Sequence, residues 1–175
     1  IVIKAHPAHP GTCELVMNAI QAAAKACQMP DGIVSMVQGR TVDVGQALVL
    51  HPEIQAVGFT GSHQGGRALF NLASQRPNPI PVYAEMGSTN PVFLLPGALQ
   101  ERGDSIASGL IQSVALGVGQ FCTNPGMVFG LESEETQQFL NQIESQLPEV
   151  AAGTMLTPGI HRSYQKGVES LESTH

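Results

Sequence analysis

The chain has 175 residues, 42% of them hydrophobic and only 13% charged, which fits one ordinary domain or two small ones with a real core and excludes a disordered or fibrous protein. Eight basic against 14 acidic residues leave a net charge of −6 with no basic cluster, so nucleic acid is not an expected partner. No apolar run approaches the roughly 20 residues of a membrane span, and no signal-peptide pattern opens the chain. Three cysteines (Cys13, Cys27 and Cys122) without metal-type spacing favour free thiols in a reducing, cytoplasmic setting. The start at Ile1 inside an apolar run and the polar ending Glu172-Ser173-Thr174-His175 read as a piece of a longer polypeptide.

Ile1-Val2-Ile3-Lys4 reads as a short buried strand, stopped by His6-Pro7-Ala8-His9-Pro10-Gly11. Thr12 is expected to cap a helix running to about Cys27, with Leu15, Val16, Ala19, Ile20 and Ala23 as its apolar stripe. A second strand covers Ile33 to Val37, and a short helix Val42 to Leu50 ends before Pro52. Ala56-Val57-Gly58-Phe59 is a third strand, and Thr60-Gly61-Ser62 leads into a helix carrying Leu69, Leu72 and Ala73. Pro81 to Glu85 and Pro91 to Leu95 follow as strands. This alternation predicts an α/β fold, a parallel sheet with helices on both faces. Asp104 to about Val118 is helical, Met127 to Gly130 is a strand, and Asn124-Pro125-Gly126 is turn chemistry. Ser133 caps a helix that buries Phe139, Leu140, Ile143 and Leu147. Thr157-Pro158 starts a last helix with Ile160, Tyr164, Val168 and Leu171 aligned. The boundary between the halves falls at Gly87-Ser88-Thr89-Asn90-Pro91, dividing the chain into 1–86 and 87–175.

Four places could carry chemistry. Phe59-Thr60-Gly61-Ser62 at a strand-to-helix junction is either an anion seat or simply a capped helix start. Lys4 ends a strand, where parallel sheets place ligand-binding groups, with His6, His9 and Arg40 on turns near the same edge. A metal at His6 and His9 is disfavoured by the intervening prolines and the lack of a thiol or carboxylate partner. Glu85 closes an apolar strand. Partly desolvated, its carboxyl would be raised toward the range of a general base; facing water, it would be an ordinary strand-end charge. Cys13 and Cys27 read as small core hydrophobes. Cys122, between Gly117-Val118-Gly119 and Asn124-Pro125-Gly126, sits at an element edge, and the residues alone leave nucleophile and inert thiol open.

Together these residues resemble the aldehyde dehydrogenase superfamily. Four signatures occur in that family's order: a strand ending in Lys4, Phe59-Thr60-Gly61-Ser62, Glu85-Met86-Gly87-Ser88-Thr89-Asn90-Pro91, and Gly119-Gln120-Phe121-Cys122. The usual forms are F-T-G-S, E-L-G-G-K-x-P and G-Q-x-C, and the departures are Met86, Ser88 and Thr89. The texture of Lys4 to Thr12 and of Glu85 to Pro91 resembles the branch acting on 2-oxoglutarate semialdehyde (2,5-dioxopentanoate), with NADP-linked fatty aldehyde dehydrogenases nearby.

The resemblance implies a Rossmann-like cofactor domain in 1–86 and part of a catalytic domain in 87–175. It implies Cys122 as the nucleophile toward a small-molecule aldehyde, forming a thiohemiacetal and, after hydride leaves for the nicotinamide, a thioester. Glu85 would activate the hydrolytic water, and the Cys122 amide would be an oxyanion donor. Lys4, His6, Arg40, Phe59, Thr60, Gly61, Ser62 and Met86 would line the cofactor site. His6 stands where many NAD-preferring members carry a glutamate, and Arg40 could add attraction, so NADP+ (or NAD+) is the expected cofactor. No metal is implied, and the full-length protein would be a homo-oligomer, dimer or tetramer. An upstream asparagine and a downstream E-x-F-G-P glutamate of the family do not occur within the chain. The segment alone is therefore expected to be inactive. Two other readings remain: a non-redox thiol hydrolase or acyltransferase, for which His161 would be the nearest base, and an inactive nucleotide-binding fragment.

Overall fold

Three times along the chain a strand, a helix and a second strand follow one another, and each time the two strands pair in parallel. Parallel pairing requires a crossover, and the intervening helix supplies it each time. The computed structural model describes residues 1–173 and divides into two compact units, Ile1–Met86 and Gly87–His175. Thr174 and His175, the last residues of the polar ending, lie outside the described residues.

In the first unit β1 (Val2–Lys4) pairs with β2 (Ser35–Val37) across α1 (Pro10–Ala26), in the register Ile3 to Met36. After α2 (Asp43–Leu50), β3 (Val57–Thr60) pairs with β4 (Val82–Glu85) across α3 (His63–Ser74), with Thr60 opposite Glu85. The alternation gives the α/β class, but the single sheet expected from it is two hydrogen-bonded pairs in this unit. Strands of three or four residues, bounded by Pro7, Pro81 and Gly61, leave few ladder groups to recruit a further neighbour. Helix α1 begins at Pro10, not at a Thr12 cap. Proline's fixed φ suits the first helical position, and His9 before it makes no side-chain cap. Met17 is its buried residue, whereas Leu15 and Val16 are exposed, so the expected stripe is not the buried face. Cys27, expected in the core, is exposed at the end of α1, and Cys13 is half-buried.

In the second unit β5 (Asn90–Leu94) pairs with β6 (Pro125–Gly130) across α4 (Pro96–Ala115) and a 3₁₀ turn, Leu116–Gly119. The helix expected from Asp104 is the second limb of α4. Arg102, at φ −149°, ψ 32°, breaks the helix after a first limb that Pro96 starts. The helix stops at Ala115 because Gly117, Val118 and Gly119 all adopt left-handed φ (58°, 59° and 72°). Pro125 and Gly126, read as a turn, belong to β6. Asn90 faces Pro125 and Pro91 faces Met127, so Gly126 is bulged out of register. A Cβ on Gly126 would lie 3.2 Å from the Asn90 nitrogen and from the Thr89 Cα, a close approach of backbone to backbone that the bulge leaves little room to relax.

Leu94, Leu99, Ala107 and Phe139 form the core, with Val92, Ile106, Leu110 and Ile143 packed against it. Phe139 and Ile143 come from α5 (Glu134–Gln146), which Ser133 caps as expected, accepting from the Thr136 amide at 3.2 Å. Leu140 and Leu147, expected with them, are exposed. Thr157 likewise caps α6 (Pro158–Glu172), but this helix has no buried residue. Among the described residues no helix is long and apolar enough to cross a membrane.

Candidate active site

Parallel strands align their carboxyl ends, and the loops leaving that edge are where α/β folds hold ligands. At the β1–β2 edge, Lys4 ends its strand opposite Val37, and the Ala5 amide continues the ladder to the Val37 carbonyl at 2.9 Å. The next turn is tied by the Ala8 amide donating to His6 Nδ1 at 3.2 Å, and it stacks the His6 and His9 rings 4.5 Å apart and 10° from parallel. His6, Pro7 and Pro10 from this turn, with Gln38, Gly39 and Arg40 from the turn after β2, line a hollow of about 300 Å³. Among the described residues no carboxylate lines it. Partial desolvation, then the charges of His9 and Lys4, hold the His6 imidazole below its ordinary value, so it is mostly neutral near pH 7. His9 Nδ1 also lies 3.5 Å from Cys13 Sγ, a thiol neighbour that spacing alone did not reveal.

At the β3–β4 edge, Phe59 and Thr60 end β3, and the Gly61 amide donates to the Glu85 carbonyl at 3.0 Å. Ser62 is the N-cap of α3: its hydroxyl accepts from the Gly65 amide at 3.1 Å, so the capped-helix reading holds whatever else the site does. Phe59 and Met86 pack beneath the first turn of α3, so close that a Cβ on Gly66 would lie 2.6 Å from the Met86 sulfur. Glu85 is exposed, so the desolvation expected for its carboxyl is not present in this chain.

Cys122 belongs to the second unit and follows the left-handed Gly117–Gly119 turn, with its residue exposed. The turn is braced from both sides. Gln120 Nε2 donates to the Gly117 carbonyl at 2.8 Å, while its Oε1 accepts the Leu156 amide at 2.9 Å. Asn124 Nδ2 donates to the Val114 carbonyl at 3.0 Å. From the other side of the loop, Ser88 Oγ and Asn90 Nδ2 both donate to the Cys122 carbonyl at 2.8 Å, and Asn90 Nδ2 also donates to the Asn124 carbonyl at 2.9 Å. His161, the alternative base, uses its backbone amide on Thr157, and its side chain makes no hydrogen bond among the described residues.

A thiol on a braced, exposed turn, and a carboxylate-free hollow at a parallel-strand edge, agree with the motif order of the sequence. The family model for the Aldehyde dehydrogenase family matches residues 1–171. The chain belongs to the aldehyde dehydrogenase family. It is 52% identical over 167 residues to Alpha-ketoglutaric semialdehyde dehydrogenase 2 of Azospirillum brasilense, covering 95% of this chain and 32% of that protein. It is 45% identical over 171 residues to Alpha-ketoglutaric semialdehyde dehydrogenase of Acinetobacter baylyi, covering 98% and 32%. The chain thus spans about a third of the length of the curated relatives it matches. Among solved structures, a Bradyrhizobium japonicum proline utilization A mutant superposes with a TM-score of 0.84 at 20% identity, covering 98% of this chain and 18% of that one. An NAD-dependent aldehyde dehydrogenase from Sinorhizobium meliloti gives 0.76 at 23%, covering 97% and 34%. These two likenesses show the fold.

Sequence reasoning placed the motif residues on the strand ends and loops where they stand, but it passed over Ser88, Asn90 and Asn124. Asn124 was read as turn chemistry, and Ser88 and Asn90 as part of the break between the halves and of the signature that begins at Glu85. The available signal was the departure of Ser88 from the family's glycine.

Proposed function

We propose that the intact protein is an NAD(P)+-dependent aldehyde dehydrogenase oxidising 2-oxoglutarate semialdehyde, with 1–86 binding the cofactor and 87–175 bearing the nucleophile. The observation that carries the reading is the exposed Cys122 on its braced turn, in a chain half-identical over almost its whole length to an enzyme named for that substrate. In this reading the Cys122 thiolate attacks the aldehyde carbon, its sulfur–carbon bond giving a thiohemiacetal, while the Cys122 amide donates to the oxygen. The chemistry a bound nicotinamide supplies is acceptance of the hydride from that carbon, which leaves a thioester on the sulfur. Glu85 takes a proton from the water that attacks the thioester, and acid and free thiol result.

The hollow at the β1–β2 edge fits the adenosine end of the cofactor. Arg40 brings a permanent cation and no lining residue brings a carboxylate, so a ribose 2′-phosphate is attracted rather than repelled. Lys4 and His6 would hold the ribose, and Phe59, Thr60, Gly61, Ser62 and Met86 the pyrophosphate end at the start of α3. NADP+ is therefore the preferred cofactor in this reading. In the intact protein, as an oligomer, Cys122→Ser should abolish aldehyde oxidation while leaving NADP+ binding, followed by fluorescence titration, within about two-fold. Glu85→Gln should let the acyl-enzyme build up, seen as a burst of reduced cofactor followed by slow turnover. Unchanged steady-state turnover in that variant would remove Glu85 from the mechanism.

A further inference from the structure

We infer that Ser88 and Asn90 are positioning residues for Cys122, a clamp that fixes the direction of the nucleophile's own peptide; this rests on the functional reading above. A carbonyl oxygen has two lone pairs, and both of those on Cys122 meet a side-chain donor at 2.8 Å, one from a serine and one from a carboxamide. The second N–H of the carboxamide reaches the Asn124 carbonyl at 2.9 Å, so one side chain bridges two carbonyls of the nucleophile loop. The longer 3.3 Å approach of Asn90 Nδ2 to Ser88 Oγ joins the two donors. Asn90 is a firm base for this, since it begins β5 and stands opposite Pro125 in β6. Pro125 has no N–H to give the ladder, so at this end side-chain hydrogen bonds hold the loop to the strand. These two bonds join the Ser88–Asn90 segment to the Cys122 carbonyl across 34 and 32 positions of sequence. Ser88 is a departure from the family's E-L-G-G-K-x-P form, and glycine there would have no donor.

The clamp acts on direction and not on hydrogen-bond number. Cys122 is exposed, so water satisfies its carbonyl once the donors are removed, and the cost to folding is small. What is lost is a fixed ψ at the residue whose sulfur attacks, where a misplacement of about 1 Å can cost roughly 100-fold in rate. The experiment uses the intact enzyme with Ser88→Ala, Ser88→Thr and the isosteric Asn90→Asp, whose carboxylate cannot donate to two carbonyls. Ser88→Ala and Asn90→Asp are expected to lower kcat by about 10- to 100-fold. The cofactor KM should stay within about two-fold and the alkylation of Cys122 by iodoacetamide should slow, while Ser88→Thr keeps the parent values. Values of kcat and alkylation rate in Ser88→Ala within about two-fold of the parent overturn the clamp, even if Asn90→Asp fails to fold. Oxidation that survives Cys122→Ser would overturn the functional reading itself. Oxidation lost in Cys122→Ser but intact in both clamp variants overturns the clamp alone.

Discussion

On the turn after β1, His6 is pressed against His9 with Lys4 close by, and its imidazole is held below the ordinary 6.5 by partial desolvation first and the two neighbouring charges next. The sign follows from linkage. As pH falls, the unfolded chain takes up this proton before the folded one, so the contribution is complete above 6.5 and is lost as pH falls through 6.5 toward the folded value. Lys4 and His9 are the charges acting on the ring, and Arg40 lines the same hollow. All three persist in His6→Gln, so the comparison isolates His6. Lowering the pH from about 7.5 to about 5.5 should reduce the urea midpoint of the parent more than that of His6→Gln, and equal losses would refute the shift. At this scale, type and local spacing marked Cys122, Glu85, Ser62 and Lys4, because each sits in a short contiguous motif. Ser88 and Asn90 lie in the same contiguous stretch as Glu85, but nothing in that stretch marked what they do. Their role is a pair of side-chain-to-carbonyl bonds to a residue more than thirty positions away, which no local periodicity encodes.

Between elements, α2, its exit loop and α3 are held together by one cation. Arg76, only 9% exposed just past the end of α3, donates through Nη1 to the carbonyls of Val49 at 3.1 Å and Ile54 at 2.9 Å, and through Nη2 to that of Pro52 at 3.4 Å. The Val49 carbonyl in the last turn of α2 and two carbonyls of the proline-interrupted connection after it thereby receive a side-chain donor. Arg76→Ala should lower unfolding free energy by about 2 to 4 kcal/mol in urea titrations, since one buried and two part-buried carbonyls lose a charged donor. A loss under about 1 kcal/mol would show that water replaces the guanidinium. The sequence showed elements better than their ends. Ser62, Ser133 and Thr157 each precede their helix with an oxygen that does accept from the first turn, so these starts could be read. Pro10 and Pro96 start helices with no side-chain cap, so α1 and the first limb of α4 were misplaced or missed. The Asn-Pro-Gly turn misled for a related reason: a bulge tolerates the same residues as a turn.

For the molecule as a whole, the surface is the informative quantity. The chain exposes 12881 Å². Two separate compact bodies, each of half its 18.4 kDa, would together expose only about 9,900 Å². Large apolar side chains contribute to the excess: Leu15 on α1, Tyr83 on β4, the stacked Phe93 and Phe129 pair across β5 and β6, and Tyr164 and Leu171 on α6 all lie open. Among the described residues no large side chain is fully buried. A sequence 42% hydrophobic has the material for a core, but the strand and helix patterns could not say which apolar faces meet a neighbour within the 175 residues. Leu15 and Val16, read as part of the stripe of α1, and Ile160, Tyr164 and Leu171, read as aligned on α6, stand exposed. The relatives are about three times as long, and apolar patches of this kind mark surfaces that associate. Residues 1–175 produced alone should therefore bind a hydrophobic dye strongly, self-associate in sedimentation, and show no detectable aldehyde oxidation. A monodisperse, dye-silent monomer turning over near the rate of the intact enzyme would show that the chain completes both its core and its site unaided.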